Sequence, residues 1–579
     1  MQPDRAVQQR EASRVDSDAP SREQLLRRWS ALKSERASWW PHWREISDNL
    51  LPRAGRYFAS DRNRGDKRHG NILDNTGTRA LRVLSAGMMA GMTSPARPWF
   101  RLATSDPDLV KVPAVKQWLA DVTHLMLQVF ARSNTYRALH SLYEELGAFG
   151  TAATVVLDDF ETVLHHYPLT AGEYCLAQNM RGEVDSLFRE FETTVGAVVA
   201  EFGLDACSTT VRRMYDAGNL DAWVPLVHAI EPRRQGDRQG RGPQGMAWKS
   251  CYFEAGGDSQ TMLREGGFRR FPALAPRWNT IGGDVYGHGP GMDALGDLKQ
   301  LQHQQLRKGM AIDYQVRPPL QVPSALKSRE IDMLPGGINY VDNPAAAAAI
   351  RTAYDVNLRL DHLLTDMQDV RQRITAAFSA DLFLMLANSQ DTRMTATEVA
   401  ERHEEKLLML GPVLERLHTE LLDPLIEMTF DRLLEADVLP PPPPELQGMA
   451  LNVEFVSMLA QAQRAIGING MDRFVVALGT VAQMKPDSLD KLDADAWLDD
   501  YADRLGLEPG LLVGGRRLAM IRESRAQAQA QAAQAAQAEQ TAAAAQKLGT
   551  VQTGAGASNA ANDVINMFSG YTGPRGEAA

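Results

Sequence analysis

Leu410, Leu414, Leu417, Leu421, Leu425 and Met428 fall 4, 3, 4, 4 and 3 positions apart. That spacing lays one apolar stripe along one face of a helix. Upstream, Thr395 and Glu398 fit a capping box, with the hydroxyl on the third amide and the carboxylate reaching back to the first. The pattern predicts a helix from Thr395 to about Leu434, roughly 60 Å long at 1.5 Å per residue. Pro412, beside Gly411, and Pro424 each remove a backbone donor and crowd the preceding turn, so bends are predicted at both.

A second seam, Leu360, Leu363, Met367, Val370 and Ile374, repeats at 3, 4, 3 and 4 and predicts a helix over 345–378 that packs on another helix. Helical spacing also runs from Arg22 to Leu50 through Leu25, Leu26, Trp29, Leu32, Trp39, Trp43 and Ile46, with "WWPHW" as core anchors. Further helices are predicted after Asp74, Asn75 or Thr76 as N-cap, and over 112–132 and 134–149. From Thr151 to Phe271 the period changes. "TAATVVLDD", "TVLHHYPL", "EYCLAQN", "SLFREFETT", "WVPLVHAI", "WKSCYFEA" and "GFRRFPAL" read as strands, with one helix near 194–203. "PWFRL" reads as a short strand. Residues 314–344, rich in Pro and Gly, read as strand and turn between two helices, and the six basic residues of 53–69 sit in a predicted loop. The fold class is α+β, mainly α.

At 579 residues the chain exceeds one compact core and predicts two to four subdomains. Its composition, 44% hydrophobic and 23% charged, is that of a soluble protein. A net charge of −10 argues against a protein that coats nucleic acid, while leaving room for one that nucleic acid slides past. Cys175, Cys207 and Cys251 form no CxxC pair, so neither a zinc ribbon nor a disulfide framework is expected. The first 22 residues are polar and read as a disordered arm with no targeting signal. No stretch is long and apolar enough to span a bilayer.

The chemistry is sparse. The glycines of "RWNTIGGDVYGHGPGMDALGDLKQLQ" lack the GxxxxGK[ST] spacing of a phosphate loop. Glu415 and His418 make one ExxH pair, but a di-iron bundle needs two, and Leu407 stands where "HEEKL" would need a second histidine for HExxH. No GxSxG or nucleophilic cysteine context is present. Neither cofactor, metal nor catalytic residue is predicted. "LPPPPPE" (439–445) is a stiff linker. Beyond it lie an acidic helix within 486–508 and an Ala/Gln-rich run at 524–546, helical where neighbours align it.

In order, "ILDNTGTRALRVLSAGMMAGMTSPARPWFRL", "RWNTIGGDVYGHGPGMDALGDLKQLQ", "RPPLQVP", "TATEVAERHEEKLLMLGPVLERLHTELLDPLIE" and "LDADAWLDDYADRLGLEP" resemble the portal proteins, or head-to-tail connectors, of short-tailed bacteriophages, over roughly residues 23–525. The resemblance implies a portal fold of wing, stem, clip and crown. Its parts would be an arm (1–22), wing (23–290), stem helices (291–312 and 346–378), clip (313–345), tunnel loop (379–394), long kinked helix (395–438), Pro-rich linker (439–450), helical crown (451–546) and flexible tail (547–579). It further implies a ring, usually of twelve subunits, at one capsid vertex, through which double-stranded DNA is packaged and ejected. Expected partners are the terminase packaging motor, tail adaptors, and the major capsid and scaffolding proteins, with no membrane. The expected place is the virion, and the host cytoplasm during assembly. No enzymatic activity is expected. Asn388, Ser389, Gln390 and Arg393 are the channel-lining candidates. Two other classes remain open on the residues alone: a metal- or nucleotide-dependent enzyme of nucleic-acid metabolism, and another virion adaptor protein.

Overall fold

The computed structural model describes residues 22–57, 70–104, 112–233, 242–256, 262–316, 320–321, 351–352, 360–381, 410–446, 451–456, 468–485, 492–505 and 515–550, with a few single positions between. It contains two compact units, Met1–Ile466 and Gly467–Ala579. The expected arm, most of the basic loop, the body of the clip insert, the capping box at Thr395 and Glu398, and the tail beyond 550 lie outside the described residues.

The first unit starts with α1 (Arg22–Arg36) and α2 (Trp40–Asn49). The single helix expected there is broken by a turn at 37–39, and Pro41 sits in the first turn of α2, where its missing N–H costs nothing. Helix α3 (Thr76–Met92) follows, and the Asp74 carboxylate accepts hydrogen bonds from Thr76 N at 3.0 Å and Thr76 Oγ1 at 2.5 Å. Strand β1 (Phe100–Thr104) leads to α4 (Pro113–Arg132) and α5 (Thr135–Phe149).

All seven predicted strand segments form. They give β2 (Ala153–Asp159), β3 (Val163–Leu169), β4 (Tyr174–Gln178), β5 (Val184–Thr194), β6 (Trp223–Pro232), β7 (Trp248–Glu254), β8 (Arg264–Phe268) and β9 (Ala273–Leu274). "GFRRFPAL" is divided between the end of β8 and β9. One sheet has the order β3-β2-β9 and the other β4-β5-β6-β7-β8, antiparallel throughout. Two helices, not one, interrupt the strands: α6 (Val195–Phe202), capped by Thr194, and α7 (Thr209–Asp216), capped by Ser208.

A short α8 (Pro290–Asp293) precedes α9 (Leu295–Val316). Strands β10 (Leu320–Gln321) and β11 (Arg351–Thr352) pair antiparallel and close the base of the insert. Of the helix expected over 345–378, residues 351–352 are strand instead, and the described helix is α10 (Asp361–Ala377). The long helix, α11, is described over 410–435. Its expected bend at Pro424 takes the form of a π turn at His418–Leu422, where Asp423 N donates to His418 O. The wider turn accommodates a proline ring that would otherwise strike the carbonyl four residues back. The turn preceding Pro412 lies outside the described residues. After α11 the chain forms β12 (Leu451–Phe455), which pairs with β1 in the register Phe100↔Phe455. Helix was expected from 451. The described helices instead start at Ile468, in the second unit, with α12 (Ile468–Met484), α13 (Ala494–Leu505) and α14 (Gly515–Thr550).

One large core joins α2–α5, β2 and β9 to α9, α10 and α11 through Trp43, Trp99, Phe130, Tyr143, Leu298 and Ile374. The predicted stripe is wholly buried, with Leu417, Leu421 and Leu425 fully so, and Met367, Val370 and Ile374 of the second seam are buried as well. Smaller clusters sit beneath α1 (Leu25, Phe188, Phe253) and between α6, α7 and β6 (Val198, Val211, Leu226).

Candidate functional site

The helices α9 and α10 lie against each other, with Arg373 of α10 paired to Asp297 of α9 at 3.1 Å and Gln304 of α9 bonded to Asp366 of α10. Their inner ends are clamped to the start of α3. Gln302 Oε1 accepts from Leu73 N (2.6 Å) and Asp74 N (2.8 Å), and its Nε2 donates to Asp74 O (2.8 Å). Arg371 Nε and Nη2 both donate to Asp74 Oδ2, at 3.1 and 2.7 Å. Burial works against the Asp74 carboxylate, but hydrogen bonds from Thr76 and Arg371 outweigh it and hold its pKa below the ordinary value.

The outer half of α9 is different. Leu306, Met310, Ile312, Tyr314 and Val316 are exposed, as is Leu364 on α10, while Leu298 and Leu301 at the inner end are buried. An apolar run of this extent on a surface marks a contact site.

Helix α11 is held by polar anchors. Arg277 donates to Glu420 through Nη2 (2.7 Å), Nε (3.3 Å) and its backbone N (2.9 Å), and its guanidinium also reaches Gln178 Oε1 and Gly182 O. Arg432 donates to Val156 O at 2.8 Å and pairs with Asp158 at 2.6 Å. Sequence inspection missed these residues because they are ordinary polar side chains whose partners lie 143 and 276 positions away.

Of the chemical motifs, the ExxH pair is not brought together for metal binding. His418 stacks on Phe455, centroids 4.1 Å apart and planes within 5°, burial lowers its pKa, and Glu415 is exposed. Among the described residues no three His, Cys, Asp or Glu side chains are placed to hold a metal ion. The three cysteines are free and buried. The glycine-rich segment packs on backbone: a Cβ at Gly291 would lie 2.2 Å from Ala148 O, and Gly150, at φ +72°, abuts the Gly287 carbonyl. Among the described residues no helix is long and apolar enough to cross a membrane.

Asn388, Ser389, Gln390 and Arg393 lie outside the described residues. Both ends of the segment carrying them are anchored in the large core, by Phe378 and Phe383 on one side and Leu410 on the other. Gly87 of α3 makes room for Phe383, since a Cβ there would come within 2.3 Å of the ring.

The elements make an α+β body with a clamped helix pair and a long helix bent at a π turn. The family model for the bacteriophage head to tail connecting protein matches residues 22–512. The chain is 62% identical to a probable portal protein of Bordetella phage BPP-1, over 96% of this chain and all of the relative. It is 45% identical to the portal protein of Salmonella phage epsilon15, over 88% of this chain and 92% of the relative. The chain belongs to the bacteriophage head to tail connecting protein family. Its function is that of a portal: a ring at the head–tail connection of the virion whose channel carries DNA.

Proposed function

We propose that twelve copies form this ring, a structural machine without catalysis of its own, docked on one face by the terminase motor and on the other by tail adaptors. The major capsid and scaffolding proteins surround it during assembly in the host cytoplasm. In this reading 23–290 is the wing and α9 and α10 are the stem. The insert that β10 and β11 close is the clip, and the helices from Ile468 onward are the crown. The segment carrying Asn388, Ser389, Gln390 and Arg393 is the tunnel loop, where uncharged polar rings and one arginine give DNA weak, sliding contacts.

The observation that carries this reading is the set of exposed apolar side chains on outer α9, for which no cover exists among the described residues. In a closed ring that cover is the next copy. The acidic balance suits a channel wall that phosphate must not grip. Native mass spectrometry of the purified chain tests it. A species near twelve times 63.9 kDa, about 770 kDa, is expected, and a monomer or dimer would refute it. ATP hydrolysis by the isolated ring would refute the non-catalytic part.

A further inference from the structure

Phe160 stands at the tip of the β2–β3 hairpin with its side chain wholly in solvent, at 110% relative exposure. The tip is not slack. Thr162 N and Oγ1 both donate to Asp159 Oδ2, at 2.9 and 2.5 Å, with Leu164 O 3.1 Å from the same hydroxyl. Val163 sits at φ +71°, a left-handed conformation that a β-branched residue rarely adopts. Just below the turn the hairpin is fixed to α11 through Asp158 and Arg432. A rigid loop held at a strained position, presenting a bare aromatic ring, has the character of an interface anchor.

The same chain carries a matching recess. A cavity of about 450 Å3 opens along β3 from His165 to Leu169, lined among others by Asn134, Arg137, His165, Tyr167, Arg189 and Phe191. The Arg189 guanidinium lies 4.6 Å from the Phe191 ring and 5.6 Å from the Tyr167 ring. Its Nε is buried without a hydrogen-bond partner, and it makes no ion pair among the described residues. The two carboxylates of the lining are already neutralised, Glu173 by Arg56 at 2.5 Å and Glu190 by Lys33 at 3.3 Å. The recess is therefore aromatic and basic, while the tip, with Asp159 and Glu161 on either side of Phe160, is aromatic and acidic. Tyr167 in the recess lies four residues along β3 from Val163 at the turn, roughly 13 Å at 3.3 Å per residue, and the Phe160 side chain stands in solvent, so the tip does not fill its own recess. A ring joins two different patches of one chain head to tail, which is the relation these patches have.

We propose that Phe160 of each copy seats in this recess of the neighbouring copy, its ring beside Tyr167 and Phe191 and its flanking carboxylates facing Arg137 and Arg189. The proposal rests on the ring reading above. It adds a wing-level contact to the one expected at the stem.

The test places the photo-cross-linking amino acid benzoylphenylalanine at position 160 of the full chain, irradiates the assembled ring and maps the linked peptides by mass spectrometry. Links between two copies, joining position 160 to peptides that contain Arg137, residues 165–169 or residues 189–191, are expected. Links to another surface, links within one chain, or no inter-copy link overturn the proposal while leaving the ring reading intact. An unsubstituted chain that never forms a ring overturns both. In parallel, Phe160→Ala is expected to raise the concentration at which rings half-dissociate on dilution by at least ten-fold, and Phe160→Leu by less. Phe160 has no contact to lose within its own chain, so the subunit unfolding midpoint should not move. A dilution curve matching the unsubstituted ring refutes the contact.

Discussion

Along α11, Leu410, Leu414, Leu417, Leu421, Leu425 and Met428 are all buried, whereas over the outer half of α9 Leu306, Met310, Ile312, Tyr314 and Val316 are all exposed. The stripe of α11 keeps helical spacing on one face, whereas the exposed residues of outer α9 fall 4, 2, 2 and 2 positions apart and spread around the helix. Periodicity reports that a face wants cover, and it is silent on whether the cover comes from the same chain or another copy. In α11 the cover is internal and is reinforced by Arg277–Glu420 and by Arg432 on β2. In α9 internal cover ends near Leu301 and Gln302, where the clamp on α3 ends.

The largest effects are expected where the α11 anchors are cut. Glu420→Ala leaves the Arg277 guanidinium, only 3% exposed, without its carboxylate, and should destabilise the subunit by about 3–5 kcal/mol. Leu417→Ala opens a cavity in a fully buried stripe and should cost about 2–5 kcal/mol. Urea unfolding of each variant checks both. Losses under about 1 kcal/mol would mean that α11 is covered less by its own chain than its burial indicates.

Acid should weaken the same internal cover to a smaller extent. His166 is buried with Nε2 3.1 Å from the Thr135 hydroxyl, and burial, with Arg432 and His165 nearby, pushes its pKa down to about 3. The folded value lies below the unfolded one, so the unfolded chain binds the extra proton. Stability is then full above about pH 6.5 and is lost as pH falls toward the folded value, by up to about 1.4 kcal/mol per pH unit for this one group. Urea midpoints at pH 7.5 and 5.5 should differ accordingly, and His166→Gln should flatten the difference. Equal slopes in the two proteins would show that His166 does not carry it.

How much of this was legible in the sequence follows the same division. Alternating apolar residues gave all seven strand segments of 151–271, and the 3–4 spacing gave both buried seams, since each signal is local. The partner of "PWFRL" was not legible. Strand β1 pairs with Leu451–Phe455 some 350 positions later, and a five-residue run carries no mark of its partner. Within the helix expected over 345–378, Arg351–Thr352 instead pair with Leu320–Gln321, and a two-residue strand carries no mark of a partner 30 positions back. The glycines of "GPGMDAL" read as loop punctuation because their reason, close passage against the Ala148 backbone, lies on another element. Pro424 announced a bend, but the π turn that absorbs it became visible only in the backbone. As for Asn388, Ser389, Gln390 and Arg393, only the anchors around them, Phe378, Phe383 and Leu410, are placed.

The smallest effect on the subunit is expected on outer α9, and it separates the two helices most cleanly. Met310 and Val316 are 49% and 72% exposed, so replacing both with serine removes almost no contact within the chain. Surface changes of this kind shift unfolding by no more than about 0.5 kcal/mol. Covered by a neighbour in the ring, however, the same two side chains would each lose burial worth about 1–2 kcal/mol, repeated at every subunit boundary. The double variant Met310→Ser, Val316→Ser should therefore unfold in urea like the unsubstituted subunit and yet give rings that fall apart at higher concentration on dilution, read by mass photometry. A drop in the subunit midpoint would place the cover within the chain. An unchanged dilution curve would leave the apolar face of α9 to an adaptor rather than to the next copy, and the difference between the two helices would then be one of partner and not of ring.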